Sequence, residues 1–225
     1  MSDDHVSEGD GDNRVSEGDR FPDPGSRTVL EPGCRRCPAL VESRNRISWG
    51  TGPADADVMV VGEAPGAGDE SADPWRGGNH TGMAYTTRHS GRRVRGLFAR
   101  LGHEPYYTNA VKCFPAGDDG TNREPTETER RNCRGHLERE LEMVAPAVVV
   151  ATGRHATATM LAFEGRELKG FVERVLDPTR LPSLDTWLLP VLHPSYQDVW
   201  VSRLGYDDGE YETALGETLG ELLDG

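Results

Sequence analysis

The sequence predicts an α/β protein: three layers, αβα, around a central, mainly parallel four-stranded sheet. Three observations carry this. Val58-Met59-Val60-Val61 and Ala147-Val148-Val149-Val150-Ala151 are short unbroken apolar runs, the pattern of strands buried on both faces. Between them Val94, Leu97, Phe98 and Leu101 recur at i, i+3, i+4 and i+7, the period of a helix with one buried face. Strands that alternate with helices pair in parallel and are covered on both sides.

In chain order, residues 1–28 are polar and repeat Val-Ser-Glu-Gly-Asp at 6–10 and 15–19, so they are expected to be a disordered acidic tail. Residues 29–204 form the expected domain, and residues 205–225 an acidic C-terminal helix with Leu215, Leu219, Leu222 and Leu223 along one face. Within the domain, Cys34-Arg-Arg-Cys37 opens a short helix running to about Arg46, and turn-rich residues 49–57 lead into the strand at 58. That strand stops in Gly62-Glu63-Ala64-Pro65-Gly66, where glycine lets backbone approach a ligand closely. A long glycine-rich loop, 67–89, carries Trp75 and Tyr85, and loops of this length inside a domain tend to be functional or disordered. Ser90 is placed to cap the next helix, leaving Arg92, Arg93 and Arg95 largely off its buried face.

A second strand is expected from Tyr106 to Val111. Thr126 and Glu129 then form a capping box for a helix bearing Cys133, Leu137, Leu141 and Val144. Gly153 turns the strand at 147–151 into another helix, and Trp187 to Leu192 reads as the fourth strand, ending in His193-Pro194-Ser195. Ligands of open α/β sheets sit beyond the carboxyl ends of such strands. Gly62-Glu63, Asn109, Gly153 and His193 therefore belong to one sheet edge, where an acid, an amide and an imidazole can converge.

The formal net charge is −13, but it is unevenly spread. Residues 1–28 hold eight acids and three arginines, and 205–225 hold seven acids and no base. By contrast, Arg76 to Arg100 contains six arginines and no acid, a local basic patch compatible with a phosphate backbone. Lys112 and Lys169 are the only lysines, a composition suited to a salty cytoplasm, where stacking and hydrogen bonding must carry more of any nucleic-acid affinity. No apolar stretch approaches 18 residues and no basic-then-apolar leader opens the chain, so a soluble, cytoplasmic protein without a membrane partner is expected. The four cysteines Cys34, Cys37, Cys113 and Cys133 then read as metal ligands rather than disulfides. Their spacing accommodates either structural zinc or an iron-sulfur cluster.

Gly62-Glu63-Ala64-Pro65-Gly66, Tyr107-Thr108-Asn109-Ala110-Val111-Lys112-Cys113 and His193-Pro194-Ser195, with the four cysteines in that order, resemble the iron-sulfur uracil-DNA glycosylases called family 4 and family 5. The resemblance covers roughly residues 31–200. Its opening motif is family 4 in style, whereas Gly77-Gly78-Asn79-His80-Thr81-Gly82 and Ser90-Gly91 are closer to the family 5 loop. It implies a uracil-DNA glycosylase-like αβα fold, a 4Fe-4S cluster on the four cysteines, and removal of uracil from single- or double-stranded DNA in base excision repair. A monomeric enzyme is expected, with a replication clamp as a candidate partner. The resemblance also places an aromatic of the 67–89 loop on the extruded base: Tyr85 when aligned from Thr81-Gly82, Trp75 when counted from Gly62. An acid of the family 5 loop falls near Arg88 and is missing.

A base inside a duplex must be flipped out, and the pocket must replace its stacking and pairing. An aromatic face restores stacking worth about 1–3 kcal/mol per base. Asn109 can pair with O4 and N3–H of uracil, a polarity that cytosine reverses. His193 can hold O2 of the departing anion, helped by backbone N–H groups at Gly62, Glu63 and Ala64. Glu63 is the candidate to orient water or the sugar, with Asp69 and Glu70 as weaker alternatives. Arg123 is a candidate backbone contact. With no lysine in a motif suited to a Schiff base, the expected enzyme is monofunctional. The alternatives are action on hypoxanthine or another deaminated base, or a non-catalytic nucleic-acid-binding protein that keeps the cluster.

Overall fold

A computed structural model describes residues 21–71, 73–87 and 90–225. Most of the expected tail, residues 1–20, lies outside the described residues. Phe21 packs edge-on against Trp75 with ring centroids 5.1 Å apart, and the Thr28 amide donates to Gly50 O at 2.9 Å.

Helix α1, Pro38–Ser43, is shorter than the expected 34–46 helix. Pro38 at its first turn fixes the start, because proline is preorganised there and lacks only an amide that would be unpaired anyway. Cys34 and Cys37 consequently stand before the helix, on non-helical backbone. Strand β1, Val58–Gly62, is buried at every residue. Helix α2, Gly91–Arg100, follows the long loop. Ser90 occupies its N-cap position without a side-chain cap bond; its hydroxyl pairs instead with that of Thr87 at 2.5 Å.

Strand β2, Tyr106–Asn109, ends two residues earlier than expected. Helix α3, Glu127–Val144, starts with the expected capping box of Thr126 and Glu129. Strand β3 is Val148–Thr152, and helix α4, Arg154–Leu161, follows Gly153 directly. Two further strands close the sheet, β4, Thr179–Leu181, and β5, Thr186–Val191. Helix α5, Gln197–Trp200, precedes α6, Asp208–Asp224, which opens on a second capping box, Asp207 with Glu210.

The sheet has five strands rather than four, ordered β2-β1-β3-β5-β4. All neighbours are parallel except β4, which runs antiparallel to β5 at the edge. β4 has three residues between turn-forming Pro178 and Pro182, too short to display an alternating pattern. Its pairing reaches Leu188 and stops short of Pro190, so the missing proline amide meets no partner strand there.

Each face of the sheet carries its own apolar layer. Met59, Val61, Val149 and Ala151 pack with Leu137, Leu141 and Met160 of α3 and α4. Val58, Val60, Val148 and Val150 pack with Val94, Leu97 and Phe98 of α2 and with Leu215 and Leu219 of α6. The alternation along β1 and β3 thus feeds two layers, which is why these runs show no polar residue. Among the described residues no helix is long and apolar enough to cross a membrane.

Leu137, wholly buried in the α3 layer, offers a direct test of that packing. Leu137→Ala should lower unfolding free energy by about 2–5 kcal/mol in urea titrations. A loss under about 1 kcal/mol would show that α3 does not close this face tightly.

Candidate active site

Parallel register brings the strand ends together. Gly62 lies opposite Asn109 on β2, while Val61 pairs with Ala151 and Thr152 with Val191 across β3 and β5. Beyond them lies a cavity of about 790 Å³ whose walls include Gly62, Glu63, Ala64, Tyr85, Asn109 and His193. The four segments expected to meet do meet. Trp75, the alternative aromatic, is absent from the lining and is buried against Phe21, so Tyr85 is the loop aromatic of the cavity. Asp69 and Glu70 also lie outside it; Asp69 is exposed and caps Ser71. Arg88 falls outside the described residues.

The floor of the cavity is close-packed. A Cβ added at Gly62 would lie 2.5 Å from Asn109 Oδ1 and 2.8 Å from Tyr85 Oη, so only glycine permits this approach. Tyr85 is held by its hydroxyl, 2.6 Å from Thr152 Oγ1, and by its ring, 5.7 Å from that of Tyr107. Burial raises its phenol above the ordinary tyrosine range, so it stays neutral. Its backbone sits at φ 54°, the left-handed region that a bulky residue enters only when its surroundings enforce it.

Arg95 does that enforcing. Although the helical period places it off the apolar face, its guanidinium turns inward. Nε donates to Tyr85 O at 3.1 Å, while Nη2 donates to Ala84 O at 3.0 Å and Thr51 Oγ1 at 2.7 Å. It also lies 4.0 Å above the Tyr107 ring. Burial lowers its pKa to about 10, which leaves it charged. The basic patch is therefore partly internal: Arg95 is a structural clamp, and Arg100 pairs with Glu212 of α6 at 2.8 Å. Arg123 likewise forms a two-pronged pair with Glu129 at 2.7 and 2.8 Å, while still bordering the cavity.

His193 follows β5 on extended backbone. Its Nδ1 accepts from the Ser195 amide at 3.2 Å, which assigns the imidazole proton to Nε2. Burial, and then the neighbouring His155, lower its pKa, so it is a neutral donor over a wide pH range. Glu63 is half-buried, and its Oε1 is enclosed without a hydrogen-bond partner. Burial raises its pKa, only partly countered by His155, whose Nδ1 is 3.9 Å from Oε1.

His155, on the first turn of α4, is a cavity residue that sequence reasoning missed. Its Nε2 lies 2.8 Å from Glu124 Oε1, so one imidazole stands between two carboxylates. Asn122, whose Oδ1 accepts from the Ala67 amide at 3.1 Å, was missed as well. The strand-end rule that singled out Gly153 reaches His155 if extended by two residues; Asn122 lies in a loop without such a signal.

The four cysteines converge on a second, much smaller cavity, which Leu40, Ile47 and His136 also line. N–H groups approach three of the sulfurs: Arg44 Nη1 to Cys113 at 3.2 Å, the Lys112 amide to Cys133 at 3.3 Å, and Asn132 Nδ2 to Cys37 at 3.5 Å. Donors of this kind stabilise thiolate charge. Burial, only partly offset by the Lys112 charge and amide, pushes the Cys133 thiol up to about 12, so a bare thiolate is disfavoured here and the site suits sulfurs bound to a cation. A smaller donor group, Glu31, Cys34 and His136, borders the same place. The residues present fit a four-thiolate centre.

Helical glycines provide a paired test of the Tyr85 cradle. A Cβ at Gly91 would lie 2.4 Å from the Tyr85 carbonyl, whereas Gly135, inside α3, faces open space. Gly91→Ala should destabilise the fold by about 1–3 kcal/mol through overpacking. Gly135→Ala should stabilise it by roughly 0.5–1 kcal/mol. Thermal unfolding compares the two, and equal shifts would contradict the cradle.

The model of the uracil DNA glycosylase superfamily matches residues 49–211. That span contains Gly62, Tyr85, Asn109, His193, Cys113 and Cys133, while Cys34 and Cys37 precede it. The type-4 uracil-DNA glycosylase of Thermotoga maritima is 32% identical over 171 residues, covering 72% of this chain and 77% of that one. The protein of the same name from Pyrobaculum aerophilum is 28% identical over 201 residues, or 87% of this chain and 92% of that one. A third, from Sulfurisphaera tokodaii, is 28% identical over 141 residues; there the match spans 62% of this chain and only 59% of the relative. All three bear the type-4 name, the group whose style the Gly-Glu-Ala-Pro-Gly opening follows.

Proposed function

The chain belongs to the uracil DNA glycosylase superfamily, and from that premise we propose that it hydrolyses the N-glycosidic bond of uracil in deaminated DNA. One observation carries the reading: Gly62, Glu63, Tyr85, Asn109 and His193 border a single cavity at the carboxyl ends of the sheet. In this reading the nucleotide is flipped into that cavity. Tyr85 takes the face of the ring. The Asn109 amide, which can both donate and accept, takes O4 and N3–H, and so rejects cytosine.

Bond cleavage leaves negative charge on the base and positive charge on the sugar. His193, neutral with its proton on Nε2, donates to O2 of the departing anion, a preorganised contact worth about 3–4 kcal/mol. Glu63 as carboxylate orients the attacking water or steadies the sugar, with His155 beside it partly countering the burial that raises its pKa. Lys112 is buried with its ammonium committed to Glu140, which supports a monofunctional enzyme that leaves the strand intact.

Cys34, Cys37, Cys113 and Cys133 would hold a 4Fe-4S cluster, whose part is to tie the segment before α1 to the 113–133 loop. The meeting of the four cysteines on one small cavity supports a metal centre, and the resemblance supports the cluster over zinc. A monomeric, cytoplasmic enzyme and a replication clamp as partner belong to the same reading and rest on the resemblance.

Incubation of the purified chain with a uracil-containing oligonucleotide, then alkali, should cleave at uracil. Hypoxanthine and undamaged controls should be cut at least about tenfold more slowly. No cleavage at any salt concentration would overturn the enzyme reading. Asn109→Ala should lose discrimination between uracil and cytosine, and retained selectivity would remove Asn109 from base recognition.

The raised pKa of Glu63 predicts the shape of the pH profile. Below that pKa the carboxyl is protonated and cannot accept a proton from water. Hence kcat should plateau at high pH and fall through a midpoint above the usual carboxylate range. Glu63→Gln should abolish that limb and lower kcat by about 10²- to 10⁴-fold; an unchanged profile would exclude Glu63 as the base. Freshly purified protein should be brown and contain iron and sulfide, and Cys113→Ser should reduce that absorption. A colourless, zinc-bearing protein would replace the cluster by zinc.

A further inference from the structure

Lys112 is the least expected residue in the core. With only 1% of its side chain exposed, its ammonium donates to Glu140 Oε2 at 2.5 Å, Thr108 Oγ1 at 2.6 Å and the backbone carbonyl of Asn109 at 2.6 Å. Three N–H bonds meet three acceptors, the full capacity of the group. Thr108 Oγ1 in turn donates to the same Glu140 oxygen at 2.7 Å. The other oxygen, Glu140 Oε1, is buried and has no hydrogen-bond partner. A pair that leaves a carboxylate oxygen orphaned in the core is poorly built for stability, and apolar side chains of similar volume usually serve at least as well. Its position says more. One arm ends on the carbonyl of Asn109, just where β2 stops and the side chain enters the cavity.

The other end of the device reaches the cysteines. The Lys112 amide donates to Cys133 Sγ at 3.3 Å, Cys113 is the next residue, and Glu140 lies on α3 two turns after Cys133. We propose that the buried Lys112–Glu140 pair is a positioning device for Asn109, through which the four-cysteine centre holds the base-reading amide in place. This rests on the reading of Asn109 as the residue that recognises uracil. Lys112 touches no substrate; it sets the carbonyl end of β2, and with it the direction of the Asn109 side chain.

Replacing both partners, Lys112→Met with Glu140→Leu, removes the charges while conserving volume. Single removal of Lys112 would strand a buried carboxylate and is expected to unfold the chain. The double variant should retain the visible absorption and melting temperature of the parent, yet lose about 100-fold in kcat on uracil with little change in KM, the scale of a misplaced contact. Its selectivity for uracil over hypoxanthine should shrink. Spectra of ¹⁵N-asparagine-labelled protein should show the Asn109 side-chain amide broadened or shifted. Combined with Asn109→Ala, the double substitution should cause no further loss.

Parent-like kcat, selectivity and Asn109 amide signal in the double variant would overturn the proposal, as would an equal loss with and without Asn109. If the double variant does not fold, Lys112→Gln with Glu140→Gln, which removes both charges together and keeps polar side chains able to hydrogen-bond, carries the same comparison. A parent protein that fails to release uracil would instead refute the function, and the asparagine spectra would still test the positioning.

Discussion

The site depends on a missing side chain. At Gly62 the absence of Cβ lets Asn109 come in from the neighbouring strand and Tyr85 from the loop, to within 2.5 and 2.8 Å of where that carbon would stand. Parallel register puts Gly62 and Asn109 opposite each other, and Thr152 anchors the Tyr85 hydroxyl from β3. The apolar runs that bury β1 and β3 on both faces are thus also what align the polar residues at their ends. The fold's stability and the shape of the cavity are consequences of the same strand pairing.

Holding polar groups at that edge is expensive, and the molecule meets the expense in a consistent way. Tyr85 in a left-handed conformation costs of order 1–3 kcal/mol. It persists because Arg95 takes its carbonyl and because Gly91 leaves space beneath it. Lys112 and Glu140 are buried together, and Glu63 is left with one enclosed oxygen beside His155. Each of these groups would be cheaper in water. They are tolerated because two apolar layers, one on each face of the sheet, bury enough hydrocarbon to carry them.

Much of this could be read in advance from particular residues. The valine-rich runs of β1 and β3 and the i, i+3, i+4 period of α2 predicted the layers, and the strand-end rule predicted that Glu63, Asn109 and His193 would share an edge. Other features left no local mark. Strand order is a property of long-range pairing, so neither β4, three residues between prolines, nor the convergence itself could be derived. Arg95 lies outside the apolar stripe yet turns inward, because a long guanidinium can reach backbone carbonyls that no pattern of hydropathy reports. His155 is ordinary in sequence and becomes notable only beside Glu63 and Glu124. Packing separates the two loop aromatics in a way the sequence did not mark: Trp75 is buried against Phe21, and Tyr85 lines the cavity.

The most direct measurement is a structure of the protein bound to DNA carrying a 2′-fluoro-deoxyuridine, whose glycosidic bond resists cleavage. The account predicts the uracil ring swung out of the helix, its O4 and N3 edge against the Asn109 amide, O2 beside His193 Nε2, and its face on Tyr85. A uracil still stacked in the duplex, or seated where neither Asn109 nor His193 reaches it, would contradict it.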